Sequence, residues 1–319
     1  MYNSLSYKSK QFFWLIIKLS IVIGCGYFIY TKLIDNEQLK FTVFYKKLIK
    51  NDVFSIKNIF FLSLFTFLNW FLEVLKWKSL VGFVKQISFI EATKQSLASL
   101  TTSLITPNRI GEYGAKALYF EKKYRKQILG LNLVGNFYQM LMTLLFGSFG
   151  FCYFLLNHKI DIDLYQILKI LLLVFILILV LFFLIKKLNF KGFTFEKVRN
   201  FIQNIPLALN IKVAVLSMFR FLIFSHQFYF LLLIFNVDIS YVDAISGITS
   251  IYLIASTIPM LSLFDVVLKG SVAIWIFSFF NIEPLIILST TTLMWILNFV
   301  LPAIIGSYFV LTFKPNFTK

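Results

Sequence analysis

The chain has 319 residues, 59% of them hydrophobic and 14% charged, with a mean hydropathy of +0.82. Soluble domains carry about a quarter charged residues, so this composition excludes an ordinary water-soluble domain and points to a helical protein of the bilayer. The net charge of +17 would suggest nucleic acid in a soluble chain, but here the cations cluster between apolar spans and read as cytoplasmic loops beside anionic headgroups; no nucleic-acid partner is expected.

In chain order, Lys8 and Lys10 precede an apolar stretch at 12–30 that Lys18 interrupts. No small-x-small cleavage site follows, so it is read as an uncleaved first span rather than a leader. A second span is expected at 54–75, with Glu73 and Lys76 as an ion pair at its interfacial end. Further full spans fall at 127–156, 165–185, 211–235 and 285–312. The run ILKILLLVFILILVLFFLI, residues 167–185, has a single Lys near one end; at ~1.5 Å per residue such a run crosses a ~30 Å hydrocarbon core. Two regions, 88–120 and 240–281, hold shorter apolar pieces around a proline and read as broken or re-entrant helices. The expected fold is therefore all-α: one membrane domain over 1–319, with about six full spans and two proline-broken re-entrant hairpins.

These two regions resemble each other. ISFIEATKQSLASLTTSLITP at 87–107 aligns without a gap to ISYVDAISGITSIYLIASTIP at 239–259. One inserted residue beyond the prolines brings Glu112 opposite Asp265 and Lys116 opposite Lys269. Each acid precedes its lysine by four residues, so each pair shares a helix face. Repeat one covers about 54–156 and repeat two about 211–312, linked by the span at 165–185. Segment 76–126 carries ten Lys or Arg, and loop 186–210 is also basic, so both should be cytoplasmic. Connections 157–164 and 236–243 are poor in cations and should face outward; loop 31–53, with five lysines, dissents. With both termini inside, the hairpins dip in from opposite leaflets. Such inverted repeats with broken helices are the architecture of secondary transporters.

The polar residues inside the apolar pattern are the candidate site. In TPNRIGEYGAK, Pro107 and Gly111 are structural hinges and Asn108 can cap a short helix carrying Glu112 and Lys116 on one face. This cluster is either an interfacial anchor or a pocket in which the planar fork of Arg109 grips a phosphate. Asn132, Asn136, Gln139 and Thr143 form one stripe along the 127–156 span, and Arg220 with Gln227 share a face of the 211–235 span. Interhelical hydrogen bonding and the lining of a headgroup path are both open readings of these stripes. His226 lies off that face and reads as a packing or hydrogen-bonded histidine. The second hairpin turns at Pro259, also a hinge, where Met260, Leu261 and Phe264 replace the glycines and arginine of the first. Two cysteines and two histidines without ligand spacing leave no metal, cofactor or disulfide framework to expect.

The segment TPNRIGEYGAKAL resembles the P-x-R-x-G-E signature of the lysylphosphatidylglycerol synthase/flippase transmembrane-region family. The matching positions are Pro107, Arg109, Gly111 and Glu112, with a weaker counterpart around Pro259 and Asp265, where relatives show a Pro-Gly-Gly stretch. The resemblance implies a membrane region that moves an aminoacylated phospholipid between leaflets, with other relatives linked to hopanoid or lipid-linked sugar pathways. It also implies a separate soluble synthase domain, for which the chain leaves no room after its last span.

The expected function is that of a flippase of the bacterial cytoplasmic membrane, moving an anionic or aminoacylated phospholipid or a related lipid-linked headgroup. Arg109, Lys116 and Lys269 would hold the phosphate, and Glu112 and Asp265 a cationic group or coupled proton. The Asn132, Asn136, Gln139, Arg220 and Gln227 stripes would shield the head during crossing. A membrane-embedded transferase acting on lipid-linked substrates and a non-catalytic membrane subunit of a lipid- or glycan-modifying complex are the alternatives left open; a separate soluble synthase or transferase and a second copy of the chain are the partners to expect.

Overall fold

The structure is a computed structural model that describes residues 41–104, 106, 110–158, 200, 201, 203–257 and 265–314, with isolated positions between 16 and 27. The described residues are all-helical: α1 (Phe41–Lys50), α2 (Ile56–Val81), α3 (Phe89–Leu104), α4 (Ile110–Leu118), α5 (Lys122–Asn157), α6 (Leu207–Ile234), α7 (Tyr241–Thr257), α8 (Asp265–Ser278), α9 (Pro284–Trp295), a π-helical turn (Ile296–Val300) and α10 (Leu301–Thr312). Among the described residues, four helices are long and apolar enough to cross a membrane: α2, α5, α6 and the continuous α9–π–α10 rod, Pro284–Thr312. These coincide with four of the six expected spans. The other two, 12–30 and 165–185, lie almost wholly outside the described residues.

From α2 onward the order long, short, short, long occurs twice, as α2–α3–α4–α5 and as α6–α7–α8–(α9–π–α10). The repeated stretch in the sequence is, in the structure, the same helix start used twice. Ser88 Oγ accepts from Glu91 N at 3.1 Å while Glu91 Oε2 accepts from Ser88 N at 2.8 Å, a closed capping box. Ser240 Oγ likewise accepts from Asp243 N at 3.2 Å and donates to Asp243 Oδ2 at 2.7 Å; the shorter acid is reached by the hydroxyl instead. Serine followed three residues later by an acid satisfies the first free N–H groups of both short helices. Asp52, Asn236 and Asn281 reverse the chain after α1, α6 and α8 with φ of 51°, 54° and 56°. Asp and Asn are the non-glycine residues that best tolerate that region.

The two halves interlock crosswise. α2 packs on α6, the first short helix α3 packs on α10 of the second half, and its counterpart α7 packs on α5 of the first. Small residues let these seams close. A Cβ on Gly306 would strike the backbone of Leu97, and one on Gly147 would come within 2.7 Å of Leu253 Cβ. One end of the bundle gathers the loops after α2 and α4, where Lys85 lies 3.9 Å from Glu121, and residue Phe313, whose ring lies 4.7 Å from Tyr119. The other end gathers α1, the end of α5 and the turn between α8 and α9. There Lys47 meets Glu283 at 2.6 Å, and His158 meets Phe280 edge to face at 4.7 Å.

Pro302 sits inside the last rod and cannot give an N–H to the carbonyl of Asn298, one α-helical turn back. Trp70 of α2 supplies a donor instead, its Nε1 lying 3.1 Å from that oxygen. The π-helical turn thus brings Asn298, only 2% exposed, against α2.

Candidate functional site

Arg220 lies near the middle of α6, about 20 Å of helix from either end at 1.5 Å per residue. An arginine there cannot face lipid cheaply; translocon scales put the cost at about 2.5–3.5 kcal/mol. The structure turns it inward. Its Nε donates to Asn69 Oδ1 at 3.0 Å, and Nη1 donates to Gln139 Oε1 at 3.2 Å and pairs with Glu73 Oε2 at 2.9 Å. The same Glu73 oxygen is 2.6 Å from Lys76 Nζ. Glu73 and Lys76, expected at the membrane surface, are therefore enclosed in protein. α2 continues to Val81 rather than stopping with the apolar window at 75.

From Arg220 the polar chain runs on. Asn69 Nδ2 donates to Asn298 Oδ1 at 2.8 Å, and Asn298 Nδ2 donates to Gln227 Oε1 at 2.8 Å. Gln227 Nε2 then donates to Thr66 Oγ1 at 2.9 Å. Four elements, α2, α5, α6 and the π-helical turn, are tied by one line of amides and one guanidinium. Each member has its partner within the line, which is what makes a buried polar network tolerable in an apolar body.

A second cluster surrounds Lys116, 2% exposed. Its Nζ donates to Glu112 Oε1 at 2.8 Å and to Asn132 Oδ1 at 2.7 Å, and sits 4.3 Å from the centre of the Trp77 ring. Trp77 Nε1 is itself held by Gln95 Oε1 at 2.8 Å. The four-residue spacing does place Glu112 and Lys116 on one face, and that face is buried. Gly111 N donates to Thr106 Oγ1 at 2.8 Å, and the Gly111 carbonyl accepts from Thr102 Oγ1 at 3.2 Å. A Cβ on Gly111 would collide with the Thr102 carbonyl, so only glycine lets α4 start this close to the end of α3.

Between the clusters lies a cavity of about 620 Å³. Glu73, Arg220, Asn136, Gln139, Glu112 and Lys269 form its polar part, and Trp70, Phe221, Phe224, Tyr252, Trp295 and Phe299 its aromatic wall. Asn136 Nδ2 donates to Tyr113 OH at 3.0 Å, and Lys269 Nζ lies 5.7 Å from the Phe299 ring centre. Of the ten candidate binding residues, Glu112, Asn136, Gln139, Arg220 and Lys269 line this cavity. Asn132 stands behind it on Lys116, and Gln227 stands behind it on Asn298. Arg109, Pro107 and Pro259 lie outside the described residues; Asp265 opens α8, and only its backbone is described. His226 is hydrogen-bonded at a distance from the cavity lining, its Nε2 lying 2.9 Å from Tyr241 OH.

No protein-family model, curated protein or solved structure matches the chain. The cavity and its chemistry are accordingly what bears on function.

Sequence reasoning missed Asn69, Asn298 and Gln95. Thr66, Asn69 and Glu73, like Glu91, Gln95 and Ser99, recur at helical spacing, and these stripes went unread; Asn298 is a lone amide in its span. A search for polar residues at helical spacing would have found Asn69 and Gln95, and a search for single amides in apolar spans would have found Asn298.

Proposed function

We propose that this chain is a membrane lipid transporter of the flippase type, carrying an anionic or aminoacylated phospholipid, or a related lipid-linked head, between leaflets. The observation that carries the reading is the cavity of about 620 Å³, with a charged and amide-lined part facing an aromatic part, inside a body of apolar helices. Its size suits a head and the start of its chains, since ligand pockets run from about 300 to 1,000 Å³. A small hydrophilic solute would gain nothing from an aromatic wall, whereas an amphiphile uses both sides.

In this reading the two halves form an inverted repeat. The α3–α4 hairpin opens at the end where Lys85 meets Glu121, and the α7–α8 hairpin at the end where Lys47 meets Glu283. Crosswise packing of α3 on α10 and of α7 on α5 is what a two-fold axis between halves would produce. The axis would pass near the α2–α6 contact that carries Glu73 and Arg220. Such halves rock against each other around a shared site in secondary transporters. Six spans, with 12–30 and 165–185 completing the set, and a bacterial cytoplasmic membrane location with both termini inside belong to the same proposal. So does membership of the lysylphosphatidylglycerol flippase-like family, with Arg109 and Asp265 at the two hairpin turns contributing to the head site.

The test is reconstitution into vesicles with headgroup-labelled phospholipids and measurement of the label reaching the opposite leaflet. The wild-type chain should move anionic labelled lipid faster than empty vesicles do, and Arg109→Ala and Glu112→Gln should slow it. Transport equal to that of empty vesicles for every lipid tried rejects the reading.

A further inference from the structure

Resting on the transporter reading, a more specific assignment follows from how the hub spends its charges. Glu73 is a single carboxylate shared by two cations, Lys76 at 2.6 Å and Arg220 at 2.9 Å. Three formal charges in contact therefore leave one positive charge over, on the side that faces the cavity. The neighbouring Glu112–Lys116 pair, at 2.8 Å, is balanced within itself.

The geometry shows where the surplus is presented. Nε of Arg220 is taken by Asn69 and Nη1 by Gln139 and Glu73. Among the described residues Nη2, with two N–H groups, has no partner, on a side chain that is 20% exposed and lines the cavity. A guanidinium fixed along one edge and open along another is a ready acceptor site for an oxyanion, whose oxygens its planar fork matches. Lys76, 3% exposed, does not reach the cavity and instead balances Glu73 from behind. Arg220 can thus engage an incoming anion through its open edge while Lys76 keeps Glu73 paired.

We propose that Arg220 is the anchor for one singly charged phosphodiester, the head of an anionic phospholipid, bound at its Nη2 edge. Asn69 and Gln139 are positioning residues that hold the guanidinium in place, and Glu73, Lys76 and Arg220 together carry one net positive charge. The aromatic side chains Trp70, Phe221, Phe224 and Trp295 on the same cavity receive the first carbons of the acyl region. A head that adds its own cation is disfavoured, because among the described residues both cavity carboxylates already carry cations. Free phosphate lacks the apolar part that the aromatic wall requires.

The experiment is equilibrium binding to the full chain in detergent, by titration calorimetry. The probes are dihexanoylphosphatidylglycerol, dihexanoylphosphatidylcholine and inorganic phosphate, and thermal melting of each variant verifies that it is folded. The glycerol lipid should bind at least tenfold more tightly than the choline lipid or phosphate. Arg220→Gln should weaken it at least tenfold, and Arg220→Lys, which keeps charge without the fork, should recover part of the loss. Glu73→Gln keeps an acceptor for Arg220 while raising the surplus to two, so binding should persist or tighten. Unchanged binding in Arg220→Gln overturns the assignment, as does equal binding of the choline lipid or of phosphate alone. Loss of binding in Glu73→Gln equal to that in Arg220→Gln would also overturn it, since a merely structural hub behaves that way. Transport that continues while binding ignores Arg220 defeats this inference and leaves the transporter reading standing; vesicles that move no lipid defeat that reading first.

Discussion

Gly306→Ala tests the seam that joins the halves. A methyl at this position would strike the Leu97 carbonyl and come within 2.7 Å of its carbon, whereas non-bonded carbons rest about 3.5–4.0 Å apart. Because the obstacle is backbone, α10 must retreat from α3 by about 1 Å. Thr101 Oγ1 spans that gap to Ala303 O at 3.0 Å, and a retreat of that size takes it out of hydrogen-bond range. The lost bond costs about 1 kcal/mol, and overpacking of a tight interface adds about 1–3 kcal/mol. Alanine's better helix propensity returns up to ~1 kcal/mol, leaving a net loss of about 1–3 kcal/mol. Gly114→Ala on α4 is the matched control, since nothing lies within 4 Å of a Cβ there; it gains the propensity and meets no obstacle. Melting in detergent, followed by tryptophan fluorescence, should place Gly306→Ala clearly below wild type and Gly114→Ala at or above it. If the two variants melt together, the close approach of α3 and α10 is not real.

Removing one member of a buried charge pair strands the other. Lys116→Met should therefore lower stability by about 3–5 kcal/mol, read by the same melting assay, and Glu112→Gln, which keeps an acceptor for Nζ, by less; equal losses would contradict the pairing at 2.8 Å. Asn298→Leu breaks the amide line at its centre and leaves Asn69 and Gln227 each short of a partner. A loss of about 1–3 kcal/mol per stranded group is expected, and a variant as stable as wild type would show the line to be unimportant.

Much of the cavity was legible in the sequence because arginine and amides are conspicuous where hydrocarbon is expected. Arg220, Gln139 and Asn136 stood out as polar residues at helical spacing in long apolar runs, and the structure brings all three to one cavity. Glu73 and Lys76 were misplaced because local hydropathy cannot distinguish a charge at the water surface from one paired across the bundle. The partner that draws Glu73 inward is Arg220, far along the chain and on another helix. The repeated Ile-Ser-aromatic-β-branched-acid-Ala stretch was visible at once, yet its cause, an acid closing a capping box with serine, needed the hydrogen bonds. How α3 and α10 meet was not legible, because a lone glycine in a span does not name the backbone that approaches it.

The crosswise seams also bear on how the protein is made. Thr101 and its acceptor Ala303 are 202 positions apart. At ~5–20 residues per second of synthesis, the first hairpin waits on the order of ten to forty seconds before its main packing partner leaves the ribosome. During that interval α3 has only its own half to lean on, with its serine and threonine hydroxyls turned back onto its own carbonyls, as Ser103 does to Leu100 at 2.7 Å. A nascent chain arrested before α9 should accordingly leave this hairpin open to proteolysis or to chaperone capture, and release of the last rod should close it.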